Sequence, residues 1–382
     1  MSAEVELTAE EREQAFADRL AQLTPIIAPV RQPGERPRVI LFGGEPAVGK
    51  TTAQRLVHTA LGEDRVASYD GDGNATVHPR YDALRRQYGV EGHSMAYKAV
   101  SGEGDRLHYA SLDHLRAGET KYDIVTSHPL AREQWAKSWV DGFNDHGYRV
   151  SLAYVVTNPA NSKLSRAERY QDGVDNEGGG RWVESEIADA LTDELPDTAQ
   201  VLESGKFVHD MYVVDRDGYV LYENHIGADG NWEREPAVKQ AILDERGRPP
   251  TPEEHAHHQR TADRLLNGRD PSKPPLEPKV RQVVEEAVAL ENARPAPQPN
   301  PHVRDASQRI DARITAGVPA GPAANESGRP AGVDEATWKA QRAASSGMAR
   351  AGSGPAPAVG SSGSAPKSAG QGKQQDSPGQ GL

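Results

Sequence analysis

Residues Gly44 to Thr51, GEPAVGKT, restrict this chain more than any other stretch, because they satisfy the spacing G-x-x-x-x-G-K-[ST]. Backbone N–H groups can converge on a phosphate only where side chains leave the approach clear, and Gly44 and Gly49 leave it clear. Lys50 is then placed to reach the β- and γ-phosphates, Thr51 to hold Mg²⁺ by its hydroxyl, and the following helix to add its positive dipole end. The flanks supply the strand and helix that such a loop requires. Val39, Ile40, Leu41 and Phe42 form a short, wholly apolar strand of the kind buried in a parallel sheet. Ala53, Leu56, Val57, Ala60 and Leu61 recur on one helical face. The candidate nucleotide-binding residues are therefore Gly44, Glu45, Pro46, Ala47, Val48, Gly49, Lys50, Thr51 and Thr52. No N-K-x-D string is present to read a guanine, so ATP is the expected nucleotide.

Further candidates stand at the ends of later strands, where open parallel sheets bind ligands. A second strand, Val66 to Tyr69, runs into Asp70 and Asp72. Asp72 is either a carboxylate beside the γ-phosphate, able to accept a proton from an attacking hydroxyl, or part of a plain turn. A third strand, Tyr122 to Val125, ends at Thr126, Ser127 and His128, and His128 is either a ligand-facing residue or a helix-start residue before Pro129. The helix after it carries Trp135, Trp139, Val140 and Phe143, a stripe that reads as core. A fourth strand, Tyr148 to Pro159, leads to a helix bearing Arg166 and Arg169, and a glycine run at Gly178 to Gly180 precedes Arg181. Cationic groups after that strand suit a site that closes over a transferring phosphoryl. Met211 to Glu223 reads as a hairpin around Asp215, Arg216, Asp217 and Gly218 in preference to a strand ending in a metal-binding Asp.

Thr8 with Glu11 predicts a capped N-terminal helix, and Thr251, Pro252 and Glu254 predict another near the far end. The expected organisation is an N-terminal helix and linker over 1–36, a nucleotide-binding core over 37–230, and accessory helices over 231–294. Residues 295–382, rich in Pro, Ala, Gly and Ser with a feeble helical island around Trp338, are expected to be disordered. Hydrophobic residues make up only 36% of the chain, which a solvated tail explains. From Pro301 onward there are nine Lys or Arg against six Asp or Glu, so the net charge of −12 belongs to the body and argues against general nucleic-acid binding. The absence of cysteine excludes disulfides and thiolate chemistry. No apolar run approaches the roughly 20 residues that span a bilayer, and the acidic start lacks a secretory n-region, so no membrane partner and a cytoplasmic location are expected.

By Arg181 the order of features resembles the zeta-toxin family of P-loop kinases, from Thr8 to about Glu223. That family's GGxPGxGKT loop appears as GGEPAVGKT and its strand-end D-x-D as Asp70-Gly71-Asp72. Its HP-aromatic-x-x-L segment matches His78, Pro79, Tyr81 and Leu84, and its helix NS-x-L-x(4)-RY matches Asn161, Ser162, Leu164, Arg169 and Tyr170. The resemblance implies an α/β fold with a P-loop kinase-type parallel sheet flanked by helices. It implies ATP and Mg²⁺ as cofactors, a nucleotide sugar, UDP-N-acetylglucosamine, as acceptor, and a small helical antitoxin that covers the ATP site. It also implies that Asp72 is the general base and that Arg169 and Arg181 clamp the transferring group, with Lys50 and Thr51 handling phosphates and Mg²⁺. Two departures lie on the sugar side. Where the family has E-x-T this chain has Thr126, Ser127 and His128, and the substrate-side glutamate falls near Tyr109, with Glu103 the closest carboxylate upstream. Asp70, Asp72, Glu103, Thr126 and His128 are thus the expected acceptor contacts. Rival readings are a kinase of another UDP-sugar or an antibiotic alcohol, and a P-loop ATPase or nucleotide-gated interaction module.

Overall fold

Thr8 and Glu11 exchange the two bonds of a capping box (2.9 and 3.1 Å) and start α1 (Ala9–Leu23). The chain continues through β1 (Arg38–Gly43), α2 (Lys50–Leu61), β2 (Val66–Tyr69) and a 3-10 turn over Gly71–Val77. Next come α3 (Tyr81–Ser101), broken by a kink at Gly89, then α4 (Arg106–Ala117), β3 (Asp123–Ser127) and α5 (Glu133–Asn144). β4 (Arg149–Val155), α6 (Pro159–Glu177) and α7 (Ser185–Ser204) lead to β5 (Asp210–Val214) and β6 (Val220–His225). α8 (Val238–Gly247), α9 (Pro252–Leu266), α10 (Pro278–Asn292) and α11 (Ile310–Thr315) follow. This computed structural model describes residues 5–302 and 304–316. The helical island expected around Trp338 lies outside the described residues.

The six strands form one sheet in the order β2-β3-β1-β4-β5-β6, parallel except for the β5–β6 hairpin. Val39 to Phe42 are each at most 1% exposed, which a strand achieves only with neighbours on both edges and layers on both faces. Alternation divides them. Val39 and Leu41 join the larger core with Trp139, Phe143, Leu195 and Ile242, while Ile40 and Phe42 face Ala53 and Val57 of α2. Because β3 and β4 flank β1 on opposite sides, the crevice at the carboxyl end of β1 is the switch point of the sheet.

Several boundaries differ from those read in the sequence. β3 runs to Ser127 because Thr126 and Ser127 still pair with Leu41 and Phe42, so these two are sheet residues and not loop. β4 stops at Val155, and Asn158 caps α6 with Pro159 in its first turn. The helix after the glycine run begins at Ser185, and α8 falls within the segment expected to hold accessory helices. Packed structure also extends past residue 295. Ile310 and Ile314 of α11 bury in the core beside α2, and the Ile310 amide donates to the Gly218 carbonyl (2.8 Å). Arg304 pairs with Asp215 and Asp217 of the hairpin turn (2.8 and 2.7 Å). Two isoleucines four residues apart suffice for one docked turn even in a stretch of tail-like composition. Among the described residues no helix is long and apolar enough to cross a membrane.

Ile310 is fully buried, so Ile310→Ala is expected to destabilise the fold by about 3 kcal/mol in urea unfolding. An unchanged unfolding midpoint would show that α11 does not belong to the cooperative core.

Candidate active site

At the end of β1 the chain turns with Gly44 at φ 140°, where an added Cβ would lie 2.6 Å from the Val155 carbonyl oxygen. Only glycine fits so close to β4. Ala47 also has positive φ (63°), Val48 is sealed in the core and pins the loop, and Pro46 lies beneath Ser162 of α6. Gly49 precedes α2 as its N-cap, so the first amides of the helix point back into the loop. Lys50 Nζ donates to the carbonyls of Gly44 (2.8 Å) and Glu45 (2.6 Å). Burial, reinforced by the charge of Arg169, brings the Lys50 pKa down to about 7. Thr51 and Thr52 stand exposed on the first turn of α2, and Glu45 is buried. Among the described residues no group of three His, Cys, Asp or Glu side chains is placed to hold a metal ion.

The end of β2 supplies the carboxylates. Asp70 caps the 3-10 turn by accepting the Asp72 amide (3.0 Å), and Asp72 Oδ2 accepts from Arg181 Nη1 (3.0 Å). Arg181 reaches it because the glycine run folds tightly over α6. A Cβ on Gly180 would stand 1.9 Å from the Tyr170 carbonyl. Burial, then the neighbouring Asp70, pushes the Asp72 pKa up to about 8 against the pull of Arg181 and Arg169. Burial likewise lowers Arg181 to about 9 and pulls Arg169 below its usual range. The buried Nε of Arg169 has no hydrogen-bond partner among the described residues. Arg166, one turn earlier, is instead spent on Ser185 (3.1 Å) and the Trp182 ring. The structure thus places Arg169 and Arg181 within electrostatic reach of both Lys50 and Asp72, with Asp70 acting on Lys50, Asp72 and Arg181. A carboxylate that can take a proton faces cations that can hold an anion.

On the far side of the crevice, Thr126 is buried and its Oγ1 has no hydrogen-bond partner among the described residues. His128 stacks on Trp139 (4.9 Å, 27°) and meets Trp135 edge-on (5.0 Å). Burial drives its pKa down to about 3, so the imidazole is neutral. His128 is therefore a packed residue whose electrostatic surroundings include Lys50, and it does not start the next helix, since α5 begins at Glu133. His108 of α4, bonded to the Tyr69 hydroxyl (2.5 Å), completes this aromatic wall. Glu103 is not part of it; it stands exposed on a short 3-10 turn between α3 and α4.

Sequence reasoning missed two buried arginines. Arg19 of α1 is 1% exposed, donates to the Asp70 carbonyl and to Asn74 Oδ1 (both 2.8 Å), and so clamps the turn that carries Asp72. Its one signal is its place on the buried stripe Ala15, Arg19, Leu23. Arg246 of α8 pairs with Glu45 across 201 residues, and no local pattern announces it.

The Zeta toxin family model matches residues 23–226. The chain is 27% identical over 219 residues to toxin PezT of Streptococcus pneumoniae serotype 4, a match covering 57% of this chain and 82% of that protein. It is 24% identical over 213 residues to toxin zeta of Streptococcus agalactiae, covering 56% and 72% respectively. A solved structure from a characterisation of the PezAT chromosomal toxin–antitoxin system of S. pneumoniae matches with a TM-score of 0.52 and 21% identity, covering 69% of this chain and 98% of that one. At that identity the likeness bears on the fold alone.

Folded Asp72 keeps its proton to about pH 8 while the unfolded carboxyl loses it near its ordinary value of 3.8. The stability this contributes is complete below the unfolded value and lost as pH rises through the folded one. Asp72→Asn should therefore gain stability relative to the natural chain between about pH 4 and pH 8 in urea unfolding. A stability difference that does not change with pH would place Asp72 in a solvated environment.

Proposed function

Because this chain belongs to the Zeta toxin family, it is a kinase-like toxin of the toxin–antitoxin class, and we propose that it moves the γ-phosphoryl of ATP to a sugar hydroxyl of UDP-N-acetylglucosamine. The observation that carries this reading is the Asp72–Arg181 pair (3.0 Å) within electrostatic reach of Lys50 and Arg169. The loop from Gly44 to Thr52 receives the polyphosphate on its amides, and Lys50, Arg169 and Arg181 hold the charge of the transferring group. Asp72, once deprotonated, accepts the proton of the attacking hydroxyl at a carboxylate oxygen. A pKa raised to about 8 makes it a stronger base than an ordinary carboxylate. Thr51, exposed at the head of α2, suits a Mg²⁺ whose other ligands come from phosphate oxygens and water, as that ion prefers. An ion held there would supply neutralisation of charge on the phosphates. Asp70, Thr126 and His128 are the proposed acceptor contacts, a small helical antitoxin covering the ATP site is the proposed partner, and the cytoplasm is the proposed location.

One feature favours a second reading of the acceptor. Carboxylates accept hydrogen bonds from sugar hydroxyls, yet the β3 end presents Thr126, Ser127 and a neutral His128 stacked on Trp139, and Glu103 is exposed. Another UDP-sugar or an antibiotic alcohol fits that wall with the phosphate chemistry unchanged.

Mass spectrometry of the enzyme with ATP and a panel of such alcohols is expected to show phosphorylated UDP-N-acetylglucosamine. Turnover of a different alcohol alone would select the second reading. Asp72→Asn is expected to lower transfer by about a thousandfold while ATP still binds. Acceptor-independent phosphate release that survives this substitution would identify an ATPase instead.

A further inference from the structure

Glu45 sets a carboxylate inside a loop built to receive an anion. The side chain is 1% exposed, so water does little to screen it, and its charge acts on Lys50 within the same loop. Unopposed, it would repel the phosphates that the amides at the head of α2 attract. Arg246, in the last turn of α8, donates from Nη2 to Glu45 Oε1. The residue is held at two further points, one on its guanidinium and one on its backbone. Its Nη1 donates to the Thr192 carbonyl of α7 (2.9 Å), and the Arg246 carbonyl accepts from Asn158 Nδ2, the residue that caps α6. Arg246 is therefore a counter-charge fixed in place by two neighbouring helices, and it lies beyond residue 226, where the family match ends.

We propose that Arg246 is a positioning residue for nucleotide binding: it cancels the charge of Glu45 and fixes that residue, whose carbonyl accepts from Lys50 Nζ (2.6 Å). The pair carries no net charge, so the loop stays attractive to a polyphosphate. Removing Arg246 alone leaves a buried negative charge beside the phosphate site. Removing both charges restores neutrality, which gives the proposal a signature that mere loss of packing lacks. The inference rests on the reading of the Gly44–Thr52 loop as a nucleotide site, and it is independent of the acceptor.

Calorimetric titration of the full chain with MgATP tests it. Arg246→Met is expected to weaken binding by about tenfold or more. Glu45→Gln is expected to tighten binding, because Arg246 then adds an unopposed positive charge, and the double variant should recover most of the affinity lost in Arg246→Met. An Arg246→Met chain that binds like the natural one, or a double variant as weak as Arg246→Met, overturns the proposal. If Arg246→Met does not fold, Glu45→Gln decides: tighter binding supports the proposal and weaker binding overturns it. A natural chain that binds no MgATP refutes the nucleotide reading and this proposal together, whereas MgATP binding without transfer to any acceptor refutes the kinase reading alone.

Discussion

Three cationic side chains held out of water within reach of one another are the constraint around which this molecule is arranged. For Lys50, Arg169 and Arg181 alike, burial is the largest influence and drives each toward its neutral form, and Arg169 adds like-charge repulsion on the other two. Asp70, Asp72 and Glu45 offset part of that cost. A terminal phosphoryl group, with negative charge spread over its oxygens, is the ligand that would relieve the remainder. Such a cluster is organised before the ligand arrives, so little reorganisation is left for the moment of reaction.

The scaffold keeps those charges where they are. The sheet places the Gly44 turn at its switch point, with β4 so close that no side chain fits. α6, which carries Arg169, is braced along its outer face by α10, where Leu164 and Ala167 pack with Val280, Val284 and Ala287. The glycine run then turns back over Tyr170 and delivers Arg181 to Asp72. The buried Arg19 grips the turn that carries Asp72 at its start and middle, through Asp70 and Asn74. Apart from the glycine run over Tyr170, these contacts join elements far apart in sequence, so the site is a product of the tertiary fold.

That origin explains what the sequence could and could not say. The loop was legible because its chemistry needs a strand, glycines, a lysine and a helix in immediate succession, all within one window. The β2 strand was read with its observed bounds, Val66–Tyr69, for a similar local reason. Arg169 and Arg181 carried no signal in composition and stood out through their place after the fourth strand and through the family's strings. Arg246 and His108 were invisible, since each matters through a partner that no pattern links to it. Glu103 was chosen as the nearest upstream carboxylate, but the break after α3 turns it outward. α11 was hidden because two isoleucines in a Pro- and Ala-rich stretch look like tail until α2 offers them a surface.

Asp72 and Arg181 give the crevice its chemical direction. The carboxylate is buried enough to hold a proton near neutrality and paired closely enough to release it, which suits a group that takes a proton from an alcohol while a phosphoryl group arrives. Whether the cluster serves transfer or only binding is decided by the fate of the γ-phosphorus. Phosphorus NMR of the enzyme with MgATP and UDP-N-acetylglucosamine should show the γ signal replaced, mole for mole, by a phosphomonoester on the sugar. Replacement by inorganic phosphate alone would contradict a kinase built around this buried cationic cluster.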